Sequence, residues 1–176
     1  AGGCVRDHLR GQKPQDFDIA TTATPEEVEK IFRRTIPVGK QFGVMIVVED
    51  ETPFEVATFR CEGGYQDGRH PTHVSFTQPE EDAKRRDFTV NGMFYDPIDE
   101  KVIDYVGGQK DLQRRVIRTI GNADTRFGED YLRMLRAIRF SMQLGFEIEK
   151  ATWQAICKTA PNICRISGER IAMELE

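Results

Sequence analysis

Around residue 116 the chain changes period. Before it come short apolar runs with strand alternation; after it, apolar residues recur at helical spacing. Strand signals grouped ahead of helix signals point to an α+β chain: a small mixed sheet with flanking helices over residues 1–115, then an all-helical part over 116–176, with any site in the cleft between them. In the first part, Phe42–Val48 (FGVMIVV) is a continuous apolar run and reads as a buried strand. A turn over Glu49–Pro53 leads back into Phe54–Arg60, with Phe54, Val56 and Thr58 on one face and Glu55, Ala57 and Phe59 on the other. Phe88–Tyr95 and Val102–Tyr105 read as further strands, and residues 62–77, rich in turn formers, as a long mobile loop. Thr24-Pro25-Glu26-Glu27 starts a helix, with Thr24 as N-cap, Pro25 in the first turn and Glu27 closing a capping box; Val28, Ile31 and Phe32 form its apolar face.

The second part reads as one strong helix over Glu129–Gly145, ended by the glycine, then helices over Glu149–Ala160 and Ser167–Glu176 with Trp153 and Ile156 in the core. On the first of these, Tyr131, Leu135, Ile138 and Met142 make an apolar stripe. Asp130, Arg133 and Ala137 lie opposite, with Arg136 flanking them and Arg139 nearer the apolar edge.

Charge and cysteine content narrow the function classes. With 25 basic against 29 acidic residues the net charge is −4, which argues against a uniformly basic nucleic-acid sleeve and leaves local basic patches open. The four cysteines show no paired spacing, so reduced thiols in a cytoplasmic protein are expected rather than a disulfide framework or a zinc site. No apolar run approaches a membrane span, and no membrane partner is expected; the sequence sets no oligomeric state. The chain starts almost on a Gly-Gly turn and stops inside a helix pattern, which reads as a piece of a longer protein.

The chemistry concentrates in Asp16-Phe17-Asp18-Ile19. On a strand from Asp16 to Ile19 the two carboxylates share a face while Phe17 and Ile19 point into a core. Paired carboxylates repel unless a cation joins them, and oxygen-only ligation suits Mg²⁺. Gly2-Gly3 lets backbone approach an anion closely, and Arg6 follows within one helical turn. A phosphate cradle about a dozen residues ahead of a metal-binding strand suits nucleotidyl transfer, although each motif alone is more often a turn or a solvated pair. Glu55 is either a third carboxylate beside them or an edge-strand residue facing water. Lys84, Arg85 and Arg86 could neutralise a triphosphate, or form a solvated charge run. Asp130 and Arg133, three apart, could read a base edge, but spacing alone favours a surface ion pair.

In order along the chain stand GGCVRD (Gly2–Asp7), DFDIAT (Asp16–Thr21), FEVATFR (Phe54–Arg60), YQDGRHP (Tyr65–Pro71), RRDFTVNGMFYDP (Arg85–Pro97), GGQKDL (Gly107–Leu112), EDYLRMLRAIRF (Glu129–Phe140) and SGERIAMEL (Ser167–Leu175). This series resembles, nearly end to end, the head and neck of the bacterial-type tRNA nucleotidyltransferases, the CCA-adding enzymes, in the branch shared with bacterial poly(A) polymerase. The resemblance implies a DNA polymerase beta superfamily fold with a catalytic head (1–115) and a helical neck (116–176). It implies addition of CMP and AMP from CTP and ATP to the tRNA 3′ end without a nucleic-acid template. Asp16 and Asp18 would bind Mg²⁺. Gly3, Arg6 and Arg86 would hold the triphosphate, Asp87 would face the ribose 2′-hydroxyl, and Asp130 and Arg133 would read the base, with Arg136 and Arg139 at matching nucleotide-contact positions. Retention of the loop around Tyr65–Pro71 favours A-adding or complete CCA-adding activity. Bacterial poly(A) polymerase stands second, because Val38–Gly43 (VGKQFG) lacks the arginine-rich pattern associated with it. A non-catalytic nucleotide- or RNA-binding module and a metal-dependent nuclease stand further back.

Overall fold

The computed structural model describes residues 1–14, 16–65 and 71–175. In chain order these form α1 (Gly3–Leu9), β1 (Asp18–Thr21), α2 (Pro25–Ile31), β2 (Thr35–Gly39), β3 (Val44–Glu49), β4 (Thr52–Thr58), β5 (Arg60–Tyr65), β6 (Pro71–Phe76) and α3 (Pro79–Arg85). Then come β7 (Met93–Asp96), β8 (Lys101–Asp104), α4 (Gly108–Arg114), β9 (Val116–Ile117), α5 (Ala123–Glu129), α6 (Leu132–Leu144), β10 (Glu147–Ile148), α7 (Lys150–Thr159) and α8 (Gly168–Leu175).

The central sheet has the order β1-β4-β3-β2 and is mixed, as expected: β1 runs parallel to β4, and the other pairs are antiparallel. The β3–β4 turn is only Asp50-Glu51, both with positive φ (47° and 60°), the two-residue hairpin geometry that matches strand twist. The capping box at Thr24 forms, with Glu27 reaching back to the Thr24 N–H at 2.7 Å. One face of the sheet packs on α2 through Val28, Met45, Val47 and Val56.

Several expectations are corrected here. β3 is buried on one face only: Met45 and Val47 are covered, while Val44, Ile46 and Val48 are half-buried. Ile31, at the end of α2, is 66% exposed, on the border of an apolar pocket with Val28, Val47 and Phe54. The metal-motif strand starts at Asp18, not Asp16, and its register with β4 pairs Asp18 with Glu55. Phe17 and Ile19 do not enter a core; at this sheet edge they line an open apolar cleft with Val5 and Tyr95. The long loop is instead the antiparallel hairpin β5–β6, paired from Arg60↔Phe76 to Tyr65↔Pro71; the loop expectation for residues 66–70 lies outside the described residues. Phe88–Tyr95 is not one strand. The Phe88 N–H bonds the Asp87 carboxylate (2.7 Å), a 3₁₀ turn follows over Thr89–Asn91, and β7 begins only at Met93. β7 pairs with β8, which lies one residue earlier than expected.

The expected helix over Glu129–Gly145 is broken. Asp130 is extended (φ −147°, ψ 109°), so α5 ends at Glu129 and α6 begins at Leu132, while Gly145 takes the expected left-handed cap (φ 65°). The buried face of α6 is also the opposite one. Leu132, Met134, Ala137 and Phe140 face inward, whereas Ile138 is exposed and Met142 is 78% exposed. Trp153 is likewise exposed, and Ile156 is core as expected. The largest core cluster joins Phe88 and Val90 to Ile117, Phe127, Met134, Ala137 and Phe140, so the 3₁₀ turn and the helices share one interior. Among the described residues no helix is long and apolar enough to cross a membrane.

Candidate nucleotide-binding site

The arginine face of α6 looks onto a cleft of about 390 Å³, walled on the far side by α1, the tip of β1 and the segment after α3. Of the residues singled out in the sequence, Gly3, Arg6, Asp18, Arg86, Asp87, Asp130, Arg133 and Arg136 line it. Asp16, Glu55 and Arg139 do not.

The first wall starts at Gly2, where φ is +70° and a Cβ would come within 2.9 Å of Arg86 Nη1. Glycine therefore lets a guanidinium lie directly on the backbone. Arg6 is buried; it donates from Nε and Nη2 to Asp7 (2.9 Å each) and from Nη1 to Asn91 Oδ1 (2.7 Å). Arg86 lies 4.9 Å from the Phe94 ring centroid and donates to Asp82 (3.2 Å) and to the Asn91 carbonyl (3.4 Å). Asp82, only 1% exposed, also takes Arg85 and the Arg60 N–H, so one buried carboxylate orients both adjacent arginines. The expected trio of cations is thereby divided: Lys84 stays on the surface between Glu80 and Glu81.

At the back of the cleft, Asp87 accepts from Arg136 Nε (2.9 Å) and Nη2 (2.8 Å) on one oxygen, and from the Phe88 N–H and Asn91 Nδ2 (3.3 Å) on the other. Burial pushes its carboxyl up, but the Arg136 charge and hydrogen bond, with the other donors, outweigh burial and hold it below the ordinary aspartate value. Burial likewise pulls the Arg136 guanidinium down, and Asp87 and then Glu174 more than reverse it.

The wall formed by Asp130 and Arg133 is not the i,i+3 ion pair that spacing favours. Asp130 sits in the break before α6, where Oδ1 accepts the Leu132 N–H (3.0 Å) and Oδ2 accepts Arg170 of α8 (2.9 Å). Arg133 instead donates from Nη1 to Glu129 (2.5 Å) and the Arg126 carbonyl (2.9 Å). Arg139 is turned to Glu174 (2.7 Å), outside the cleft. The Phe140 ring lies beside three guanidiniums, those of Arg6, Arg136 and Arg139, at 5.4, 5.2 and 4.5 Å.

For a cation, the cleft offers Asp18, with Asp16 two residues before it and Glu55 beside it in register. All three are exposed, and among the described residues no group of three or more potential ligands is gathered around one point. That donor set fits a Mg²⁺ ion that takes one or two carboxylates and completes its shell with phosphate and water oxygens; it does not fit a closed all-protein cage.

Sequence reasoning missed Asn91, Glu62 and Phe140 as lining residues, Arg170 as the support of Asp130, and Glu174 as the support of Arg136 and Arg139. The available signals were a polar Asn inside the apolar run Phe88–Tyr95 and an Arg where the last helix would want a capping acid.

Residues 1–118 match the family described as Poly A polymerase head domain, and residues 145–176 match one described as a probable RNA and SrmB-binding site of polymerase A. The chain is 50% identical over 178 residues to a CCA-adding enzyme of Geobacillus kaustophilus strain HTA426, and 48% identical over 176 residues to one of Bacillus subtilis strain 168. Each alignment takes in 99% of this chain, which spans 43% and 44% of the length of those relatives. Among solved structures, a Bacillus stearothermophilus CCA-adding enzyme in complex with CTP superposes with a TM-score of 0.89 at 46% identity, over 99% of this chain and 42% of that one. A tRNA nucleotidyltransferase complexed with a primer tRNA and an incoming ATP analog superposes with a TM-score of 0.79 at 28% identity, over 99% of this chain and 50% of that one.

Proposed function

We infer the activity from one premise: the chain belongs to the poly(A) polymerase head-domain family. As part of a longer protein it acts as a tRNA nucleotidyltransferase in the cytoplasm, adding CMP and AMP from CTP and ATP to the tRNA 3′ end. Its similarity to CCA-adding enzymes, and to structures of such enzymes with CTP and with a primer tRNA, supports this reading. We divide the work between a head (1–115) that carries the catalytic edge and a neck (116–176) that reads the base. The observation that carries the proposal is the convergence of Asp18, Arg6, Arg86, Asp130 and Arg133 on one cleft.

Asp16 and Asp18 would hold Mg²⁺, with Glu55 adding charge to the same edge; the ion, when bound, supplies electrophilic activation of the α-phosphate and of the attacking hydroxyl. Arg6 and Arg86, with the Gly3 backbone, bind the triphosphate through charge-assisted hydrogen bonds. Asp87, fixed by Arg136, faces the ribose. Asp130 supplies acceptors and Arg133 supplies donors, which matches cytosine and adenine: both present an amino donor beside a ring-nitrogen acceptor. Uracil and guanine place a carbonyl and a ring N–H there, so both protein groups would be left unpaired, at a cost that binding alone can use for rejection.

The test is a binding titration of the chain with CTP, ATP, GTP and UTP in Mg²⁺, repeated on Asp130→Ala and Arg133→Ala. Binding of CTP and ATP alone, with that preference lost in the variants, is expected. Preference for ATP alone would replace the reading with an A-adding enzyme or poly(A) polymerase. Unchanged discrimination in both variants would remove the base-reading role.

A further inference from the structure

We propose that Asn91 is a positioning residue that couples the triphosphate-binding arginine Arg6 to the sugar-facing carboxylate Asp87, so that the two ends of the nucleotide site act as one unit. The proposal rests on the nucleotide reading above. Asn91 is 8% exposed and ends the 3₁₀ turn that separates the Asp87 segment from β7. Its Oδ1 accepts Arg6 Nη1 at 2.7 Å in a buried contact, and its Nδ2 donates to Asp87 at 3.3 Å. Its backbone carbonyl accepts from Arg86 at 3.4 Å, so one residue touches three members of the site.

The chemistry of the position calls for a side chain that both accepts and donates, and the Asn91 amide does both. A guanidinium has only donors and an ionised carboxylate only acceptors, so their bridge must accept on one side and donate on the other. The orientation of the amide is fixed by the same argument, since a flipped side chain would set N–H against N–H and oxygen against oxygen. An aspartate would keep the contact to Arg6 but set a second carboxylate against Asp87. An alanine would leave the Arg6 Nη1 donor without its buried partner. Asp87 is otherwise faced by Arg136 from α6, with Glu174 of α8 behind it, and Arg6 by Asp7. None of these touches both Arg6 and Asp87.

The deciding experiment is a double-mutant cycle with Arg6→Lys and Asp87→Asn, read as the dissociation constant for ATP and, in parallel, as stability to urea. With Asn91 present, the factor by which Arg6→Lys weakens ATP binding should differ about fivefold or more between chains that keep Asp87 and chains that carry Asp87→Asn, the range expected of groups in one hydrogen-bond network. In an Asn91→Ala background the two factors should become equal. Simple multiplication of the two effects with Asn91 in place would overturn the coupling, and that arm needs no Asn91 variant to fold. If the unsubstituted chain binds no nucleoside triphosphate, the nucleotide reading fails, and the urea cycle still decides Asn91: coupled stabilities support the bridge and additive ones refute it.

Discussion

The sheet edge and the arginine wall face each other across the same cleft, but they are built on opposite principles. On the edge strand Asp18 is exposed, with Glu55 beside it in register on β4 and outside the cleft, and neither side chain has a hydrogen-bond or ion-pair partner among the described residues. On the wall, Arg133 and Arg136 are each tied to a carboxylate at 2.5–2.9 Å, and across the cleft Arg6 is tied to Asp7. One region leaves its carboxylates open to solvent and to an incoming cation; the other arrives neutralised and oriented. Substitutions at the edge should therefore cost activity and spare stability, whereas substitutions in the paired set should cost stability as well.

The sharpest break in that contrast would come from Asp18→Asn. Nucleotide incorporation should fall by about 10³-fold, in the range of lost charge stabilisation, while the melting temperature holds or rises. A large drop in melting temperature would show that the edge is structural after all. Next comes Asp87→Asn, which leaves Arg136 half-paired and should cost about 3 kcal/mol near pH 7, measured by urea unfolding. Because the folded Asp87 carboxyl lies below its unfolded value of about 3.9, its contribution is fully present above that pH. It fades as pH falls through the lower folded value, so the two unfolding curves should converge in acid. Gly2→Ala combines positive φ with a Cβ 2.9 Å from Arg86. It should cost about 1 kcal/mol and raise the KM for nucleotide without a matching loss of kcat. The smallest effect is expected of Met142→Lys on the outer face of α6, within about 0.5 kcal/mol by thermal melting. A larger loss there would mean that the exposed stripe is covered in solution.

What could be read from the sequence was local chemistry. The capping box at Thr24 and the glycine stop at Gly145 depend on neighbours within a few residues, and both form. The switch from a mixed sheet to helices was legible too, because it rests on period alone, but the part expected to be all-helical also holds the short parallel ladder of β9 and β10. The face of α6 was not. Amphipathic reasoning assigns arginines to water, but Arg136 and Arg139 point inward because Asp87 and Glu174, 49 and 35 residues away, neutralise them. The hairpin β5–β6 escaped for a related reason: Gly63-Gly64 and the charges around them signal a turn, and only the pairing of Gly63 with His73 and of Tyr65 with Pro71 carries the chain on as a strand, with Gly64 between them at φ 65°. Within the site, residue types pointed to phosphate and base chemistry, while the supporting contacts of Asn91, Arg170 and Glu174 became visible only in three dimensions.

The break at Asp130 has a mechanical consequence. One carboxylate ends α5, holds the first turn of α6 by the Leu132 N–H and anchors α8 through Arg170. A group in that position ties three helix ends together. Any base that draws on its lone pairs changes the free energy of three helix ends at once, so the identity of the bound nucleotide should be written into backbone fluctuations well away from the base. The amide exchange rate of Leu132 is where that record would be most direct.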